Sequence, residues 1–196
     1  MDNTSSTVKI APEKARKFVE EHLEGDRLSH TIGVVDVGGL LVEAYPKLPN
    51  NPVISSCYLH DVARQKIPEV QKKFAVQFKD LDPIEESIPG LWHAPAGAQM
   101  IINHWNLDRD RPLPQAVAFH STGKSPMEPL LQSLIIADFS EPGREFPEAR
   151  SIREQIGEIP LNSLACRVLR HKIHYALSKQ TPIHTRSVEA YNELCD

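Results

Sequence analysis

Asn51-Pro52-Val53-Ile54-Ser55-Ser56-Cys57-Tyr58-Leu59-His60-Asp61-Val62-Ala63-Arg64 is the stretch on which the reading of the whole chain turns. Asn51 suits an N-cap and Pro52 the first helical position, where proline's missing N–H would have had no partner and its fixed φ is already helical. Ile54, Cys57, Tyr58 and Leu59 keep an apolar helix going until it ends near His60-Asp61-Val62-Ala63. Successive helical residues point about 100° apart. His60 and Asp61 therefore leave the last turn at an angle that lets both reach one ion. A His-Asp pair by itself is common by chance, so its weight depends on the rest of the chain.

Outward from this stretch every periodic segment is helical. Pro12 to His22 carries Ala15, Phe18, Val19 and, just beyond, Leu23 on one face. Asp26 is the expected N-cap of a second helix. There Leu28, Ile32, Val35 and Val42 form one apolar stripe and Val34, Val37 and Leu41 another, the mark of a central helix. The pattern weakens between Arg64 and Leu91, with a short helix over Glu69 to Phe78. His93-Ala94-Pro95 starts a helix through Met100, Ile101 and Trp105. Pro114 starts one ending at Phe119-His120, stopped by Ser121-Thr122-Gly123. Pro129 opens the most apolar helix, Leu130 to Phe139, which Glu141-Pro142-Gly143 closes. Helices over about Glu148 to Ile156 and Pro160 to Lys179 precede an extended tail around Thr181-Pro182-Ile183-His184. Apolar and polar residues never alternate long enough for a sheet. The expectation is one all-α domain over residues 1–196, with residues 1–10 frayed.

Composition narrows the function classes. Of 196 residues, 40% are hydrophobic and 24% charged, enough apolar surface for one good core. The net charge of -4 and the lack of any basic block argue against a nucleic-acid partner. Apolar runs such as Leu134-Ile135-Ile136-Ala137 fall far short of the ~20 residues that span a bilayer. The start Met1-Asp2-Asn3-Thr4 has no basic-then-apolar signal pattern, so a cytoplasmic protein without membrane contact is expected. Cys57, Cys166 and Cys195 are odd in number and widely spaced, which predicts neither a disulfide framework nor a zinc knuckle.

Histidine and aspartate carry the chemistry. Asp138 follows Leu131, Leu134 and Ile135 by seven, four and three residues and so shares their buried face. A carboxylate there needs a hydrogen bond, a cation or a metal. His30 lies in line with Val34, Val37 and Leu41, while His93 and His120 sit at helix ends that tend to face a common cleft. A buried ion pair, a satisfied core histidine or a helix cap explains any one of these residues, but not the set. Imidazoles and carboxylates with open positions suit iron, manganese or zinc, and bridging carboxylates suit two ions. Arg64, three residues after Asp61, can hold a phosphate oxygen, or be a solvated loop arginine. Arg144 returns past a Pro-Gly turn towards Asp138, or pairs at the surface with Glu141 or Glu145. Pro95-Ala96-Gly97-Ala98 permits either phosphate binding at a helix start or close helix packing. His22, His104, His171 and His174 are given no chemistry. The last two share an expected wet face with Arg167, Arg170 and Lys172.

The order His30, His60-Asp61, His93, His120, Asp138 resembles the HD-domain metal-dependent phosphohydrolases. Six segments together resemble one branch, the YqeK-type symmetrical bis(5′-nucleosyl)-tetraphosphatases. They are Arg27-Leu28-Ser29-His30, Leu59 to Arg64, His93 to Ala98, His120-Ser121-Thr122-Gly123, Ala137 to Arg144 and Ile183-His184. The resemblance implies an HD-type helical bundle with a metal site between helices, cleaving diadenosine tetraphosphate to two ADP. It implies His30, His60, Asp61 and Asp138 as metal ligands, with His93 and His120 as second-metal ligands or phosphate contacts. Arg27, Arg64, Ser121 and Arg144 would contact nucleotide, and Gln180, Thr181, Pro182, Ile183, His184 and Thr185 would fold against it in a tail, 180–196, packed near the site. The chain departs from the branch in Arg64 for the usual Lys, Ala94 for Gly, Ser121 for Thr, and in lacking a Pro after His184. The expected cofactor is one or two divalent ions, iron first, with manganese or cobalt as alternatives. The expected partner is a dinucleoside polyphosphate or nucleoside diphosphate, bound by a monomer or homodimer. Asp61, Arg64 and Arg144 would carry catalysis. Two other readings stay open: an HD phosphohydrolase for a nucleoside 5′-phosphate or guanosine alarmone, and a nucleotide-binding regulator without turnover.

Overall fold

Two helices that are apolar nearly all round organise the molecule, as their sequences require. The computed structural model describes residues 10–195. It contains eleven α-helices and no β-strand among the described residues. α2 (Gly25–Ala44) buries Val34, Val37 and Leu41, and α8 (Pro129–Ser140) buries every residue from Leu130 to Ala137. They pack on each other and on α3 (Asn50–Leu59). α1 (Pro12–Glu20) covers α3, using Ala15, Phe18 and Val19. α6 (His93–Trp105) lies between α4 (Pro68–Phe78) and α7 (Pro112–Phe119). α5 (Pro83–Ser87) and a 3-10 turn at Pro89–Leu91 lead into α6. α9 (Pro147–Glu154), α10 (Leu161–Ser178) and α11 (Thr185–Leu194) close the other side of α8. No helix among the described residues is long and apolar enough to cross a membrane.

Several expectations need correction. Asp26 is not an N-cap: α2 starts at Gly25, so Asp26 lies in the first turn, where a carboxylate favours the helix dipole. The stripe through Ile32 is incomplete, since Ile32 is exposed. α7 begins at Pro112 rather than Pro114. The tail is not extended to its end, because Thr185–Leu194 forms α11 behind His184 as N-cap. Cys166 and Cys195 are joined by a disulfide, with Cα atoms 5.8 Å apart, tying α10 to the end of α11. Spacing along the chain could not anticipate that pairing. Of the residues expected to fray, 1–9 lie outside the described part. Ile10 is buried, and its carbonyl accepts a hydrogen bond from Ser55 Oγ at 2.8 Å.

Candidate metal centre

α3 ends at Leu59, and His60 and Asp61 just beyond it meet side chains from α2, α6, α8 and the end of α7. His60 is the C-cap of α3, with its Nδ1–H donating back to the Cys57 carbonyl at 2.8 Å. His120 is the C-cap of α7 and repeats the device, donating from Nδ1 to the Val117 carbonyl at 2.8 Å. His30, on α2, turns its Nδ1 to Glu141 Oε1 at 3.2 Å. With Nδ1 carrying the proton, each ring presents a bare Nε2 to the interior. His30 Nε2 and His60 Nε2 lie 3.3 Å apart, and Asp138 Oδ1 is 3.3 Å from the first and 3.9 Å from the second. Asp61 faces the other side of His60, with Oδ2 3.8 Å from His60 Nε2 and Oδ1 3.7 Å from His120 Nε2. His30, His60 and Asp138 thus form one ligand group, and His60, Asp61 and His120 a second that shares His60.

The electrostatics fit an ion-binding cluster. Burial pushes the Asp61 carboxyl up, but His60, His93 and His120 around it hold it well below the usual carboxylate range. Burial acts likewise on Asp138, and His30, His60, Arg144 and Lys172 reverse it. Burial lowers His120 to about 3, so its imidazole is neutral at pH 7, as a metal ligand must be. His30 is the exception: burial lowers it, yet hydrogen bonds to Asp138 and Glu141 raise it overall. A proton is favoured where Asp138 and two imidazoles converge, and a divalent cation would meet the same demand. Such a His/Asp cluster could hold a divalent metal.

Around the cluster stand the cations foreseen for phosphate. Arg144 NH2 pairs with Asp138 Oδ1 at 3.0 Å, not with Glu141 or Glu145. Its Nε is buried without a hydrogen-bond partner. Arg64 NH1 donates to the Gly90 carbonyl at 2.9 Å and lies 2.6 Å from His93 Nδ1. The same His93 nitrogen lies 2.8 Å from the Gly90 carbonyl, repeating the contact that His60 and His120 make three residues back. His93 Nε2 stands 3.2 Å from each of Asp61 Oδ1, Ser121 Oγ and His120 Nε2. Arg27 is exposed at the rim, with NH1 3.8 Å from Asp61 Oδ2.

The tail is a different matter. His184 is buried but turned away from the cluster, with Nε2 3.0 Å from Asp82 Oδ2. Arg186 NH1 joins it at 2.9 Å from Glu85 Oε1, and Lys79 also pairs with Glu85. Asp82, Glu85 and His184 come close enough to hold an ion, yet Lys79 and Arg186 already balance both carboxylates. Ser187 Oγ donates to the Thr122 carbonyl at 2.6 Å, docking α11 beside the His120–Ser121 turn. Gln180, Thr181, Pro182 and Thr185 are exposed and Ile183 is half-buried. Among the described residues no hydrogen bond or ion pair links them to the cluster.

Two site residues escaped the sequence reading. Glu141, taken for part of a helix stop, is buried and orients His30 while accepting from the Gly143 N–H at 2.6 Å. Gly33 makes room for it: a Cβ there would stand 2.6 Å from Glu141 Oε2. The second is Lys172, which is not on a wet face. Its ammonium donates to the carbonyls of His120 at 3.1 Å and Ser121 at 3.4 Å. The small residues at the start of α6 serve packing. Ala94, Ala96, Gly97 and Ala98 are all buried, and a Cβ on Gly97 would meet Val62 Cγ1 at 3.3 Å.

No protein-family model matches the chain. Three curated proteins named symmetrical bis(5′-nucleosyl)-tetraphosphatase are similar along most of it. The Bacillus subtilis protein is 26% identical over 93% of this chain and 96% of its own length. The Halalkalibacterium halodurans protein is 29% identical over 92% and 95%, and the Staphylococcus aureus protein 22% identical over 92% of each. A crystal structure from Clostridium acetobutylicum, described as a predicted HD superfamily hydrolase involved in NAD metabolism, superposes with a TM-score of 0.84. It is 25% identical, with 94% of this chain and 97% of that one covered.

Proposed function

We propose that this chain, a homologue of the symmetrical bis(5′-nucleosyl)-tetraphosphatases built on the HD-hydrolase fold, is a metal-dependent hydrolase that splits dinucleoside tetraphosphates, diadenosine tetraphosphate among them, into two nucleoside diphosphates. One observation carries the reading: bare imidazole nitrogens and two carboxylates converge beside an arginine that keeps a buried donor unused. A bound polyphosphate would supply the anion that this donor lacks.

Of the expected ligands His30, His60, Asp61 and Asp138, His30, His60 and Asp138 would hold one ion, and Asp61 with His120 a second position through the shared His60. Iron is the metal we assign, with manganese and cobalt as substitutes, because nitrogen and carboxylate donors without thiolate suit all three. When bound, such an ion polarises phosphoryl oxygens and lowers the pKa of its water to about 7.

The rest falls to the chain's own side chains. Arg64 and Arg144 flank the cluster and neutralise charge that builds on the phosphates as the P–O bond breaks. His93 turns Nε2 to Asp61 at the same centre, and the Ser121 hydroxyl stands beside it. Arg27 guards the open rim, where a second phosphate would lie. His184 anchors the tail rather than touching nucleotide, leaving Gln180, Thr181, Pro182 and Thr185 as the exposed part of the tail that could meet a nucleoside.

The test is a turnover assay over a nucleotide panel with metal-loaded protein: diadenosine tetraphosphate, nucleoside 5′-monophosphates and guanosine tetraphosphate. Preference for the dinucleoside, abolished in Asp61→Asn, supports the proposal. Preference for a mononucleotide or alarmone, or binding without turnover, favours the other readings.

A further inference from the structure

Lys172 sits in a sequence that hides it. Arg167, Arg170, His171 and His174 surround it, all but half-buried His171 exposed, yet Lys172 lies three residues after Leu169 and four after Val168. It therefore continues the buried face Ala165, Val168, Leu169 of α10. From a half-buried position its stem runs inward, and its ammonium reaches the end of α7. The carbonyls of His120 and Ser121 point out there from a helix C-terminus, where backbone oxygens lack intrahelical partners and the helix dipole is negative. Lys172 Nζ bonds both, at 3.1 and 3.4 Å.

These two residues carry opposite ends of the same centre. His120 puts Nε2 3.7 Å from Asp61, and Ser121 puts Oγ 3.2 Å from His93 Nε2. On the other flank Asp138 attracts the ammonium and Arg144 repels it. Elsewhere in the turn the Gly123 N–H closes on the Phe119 carbonyl and Ser187 Oγ bonds the Thr122 carbonyl. Removing the ammonium would leave two inward carbonyls unpaired and free the turn to shift.

We propose that Lys172 is a positioning residue for the hydrolytic centre, a cation that locks the His120–Ser121 turn in place. This rests on the reading of the cluster as the catalytic centre. Lys172 needs no contact with substrate for the effect. Displacement of catalytic groups by about 1 Å can cost on the order of 100-fold in rate.

The experiment replaces Lys172 in the full chain with Ala and, keeping the stem's length, with Met. Metal-free protein is followed by imidazole nitrogen NMR, and metal-loaded protein by steady-state kinetics on diadenosine tetraphosphate. The expected result is a shift of the His120 and His93 ring signals with those of His22 and His104 unmoved. It is accompanied by a drop in kcat of roughly tenfold or more, KM changing by less than about threefold. Propylamine, entering along the vacated stem of Lys172→Ala, should restore part of the rate and return the His120 signal, with no effect on wild type. Unmoved ring signals, wild-type kcat in Lys172→Met, or a loss that amine does not repair and that follows lost folded protein would each overturn the proposal. If wild type turns over no dinucleoside with any metal, the reading of the reaction fails. The ring signals then still decide whether Lys172 holds the turn.

Discussion

His30 and His60 hold their Nε2 atoms 3.3 Å apart while the other nitrogen of each ring is engaged, by Glu141 in one case and the Cys57 carbonyl in the other. Two bare lone pairs at that distance repel unless a proton or a cation lies between them. Asp138, 3.3 Å from His30 Nε2, adds negative charge at the same point. The fold has thus brought acceptors together at a cost that a divalent ion offsets.

Metal should accordingly stabilise the protein as well as activate it. The ligands come from α2, the ends of α3 and α7, and α8, so an ion links separate helices. At a free metal concentration 100 times Kd the gain is about 2.7 kcal/mol. Thermal melting with and without added iron(II) or manganese(II) checks this. The midpoint should rise for wild type and stay fixed for Asp61→Ala, which should also lose bound metal.

Glu141→Gln should weaken metal binding without removing a ligand. Its carboxylate fixes the tautomer and angle of His30, and loss of such a supporting contact costs about 10–100-fold in metal affinity. Titration calorimetry with manganese(II) measures it. Gly33→Ala, forcing Glu141 out of place, should give a similar deficit.

For Arg64→Ala the expected loss in kcat/KM is about 1.5–3 kcal/mol, the range for a hydrogen bond to a charged group. Arg64 also supports Gly90 and His93, so a small fall in melting temperature accompanies it. Arg64→Lys should be milder, since an ammonium can still reach one acceptor. Unchanged kinetics in Arg64→Ala would remove this residue from the phosphate site.

The metal-free protein should have a stability maximum near pH 6.5. His120 falls from 6.5 to about 3 on folding. Below pH 6.5 the unfolded chain therefore takes up a proton that the folded chain refuses. Stability drops as the pH falls, by up to about 1.4 kcal/mol per unit. His30 is raised, so its contribution is complete below pH 6.5 and is lost as the pH climbs through its folded value. Asp61 and Asp138 add a further loss only as the pH falls below their ordinary 3.8. Urea unfolding between pH 4 and 8 checks the shape, and His120→Gln should flatten the acid side above pH 4.

Much of this arrangement could be read from periodicity. Asp138 on the buried face of α8 and His30 in line with Val34 and Val37 broke an apolar pattern, and such a break is visible in any sequence. Lys172 broke one too, following Val168 and Leu169 at helical spacing, but its charged neighbours disguised it. Glu141 was obscured by Pro142 and Gly143, whose turn signal explained it sufficiently. α11 left little trace because Ala190 is its only buried residue. What holds it is the Cys166–Cys195 bridge, Ser187 on Thr122, and Arg186 on Glu85, contacts between distant residues that periodicity cannot register.

Which bond breaks is the most direct question to put to the molecule. If Arg64 and Arg144 grip one nucleoside diphosphate half of the substrate, water attacks the phosphorus second from that nucleoside and the other diphosphate leaves. Diadenosine tetraphosphate incubated with metal-loaded protein in oxygen-18 water, with products separated by chromatography and weighed by mass spectrometry, reads this out. The account predicts two ADP per substrate, one of them carrying a single heavy oxygen. AMP with ATP, or no hydrolysis with iron, manganese or cobalt, would contradict it.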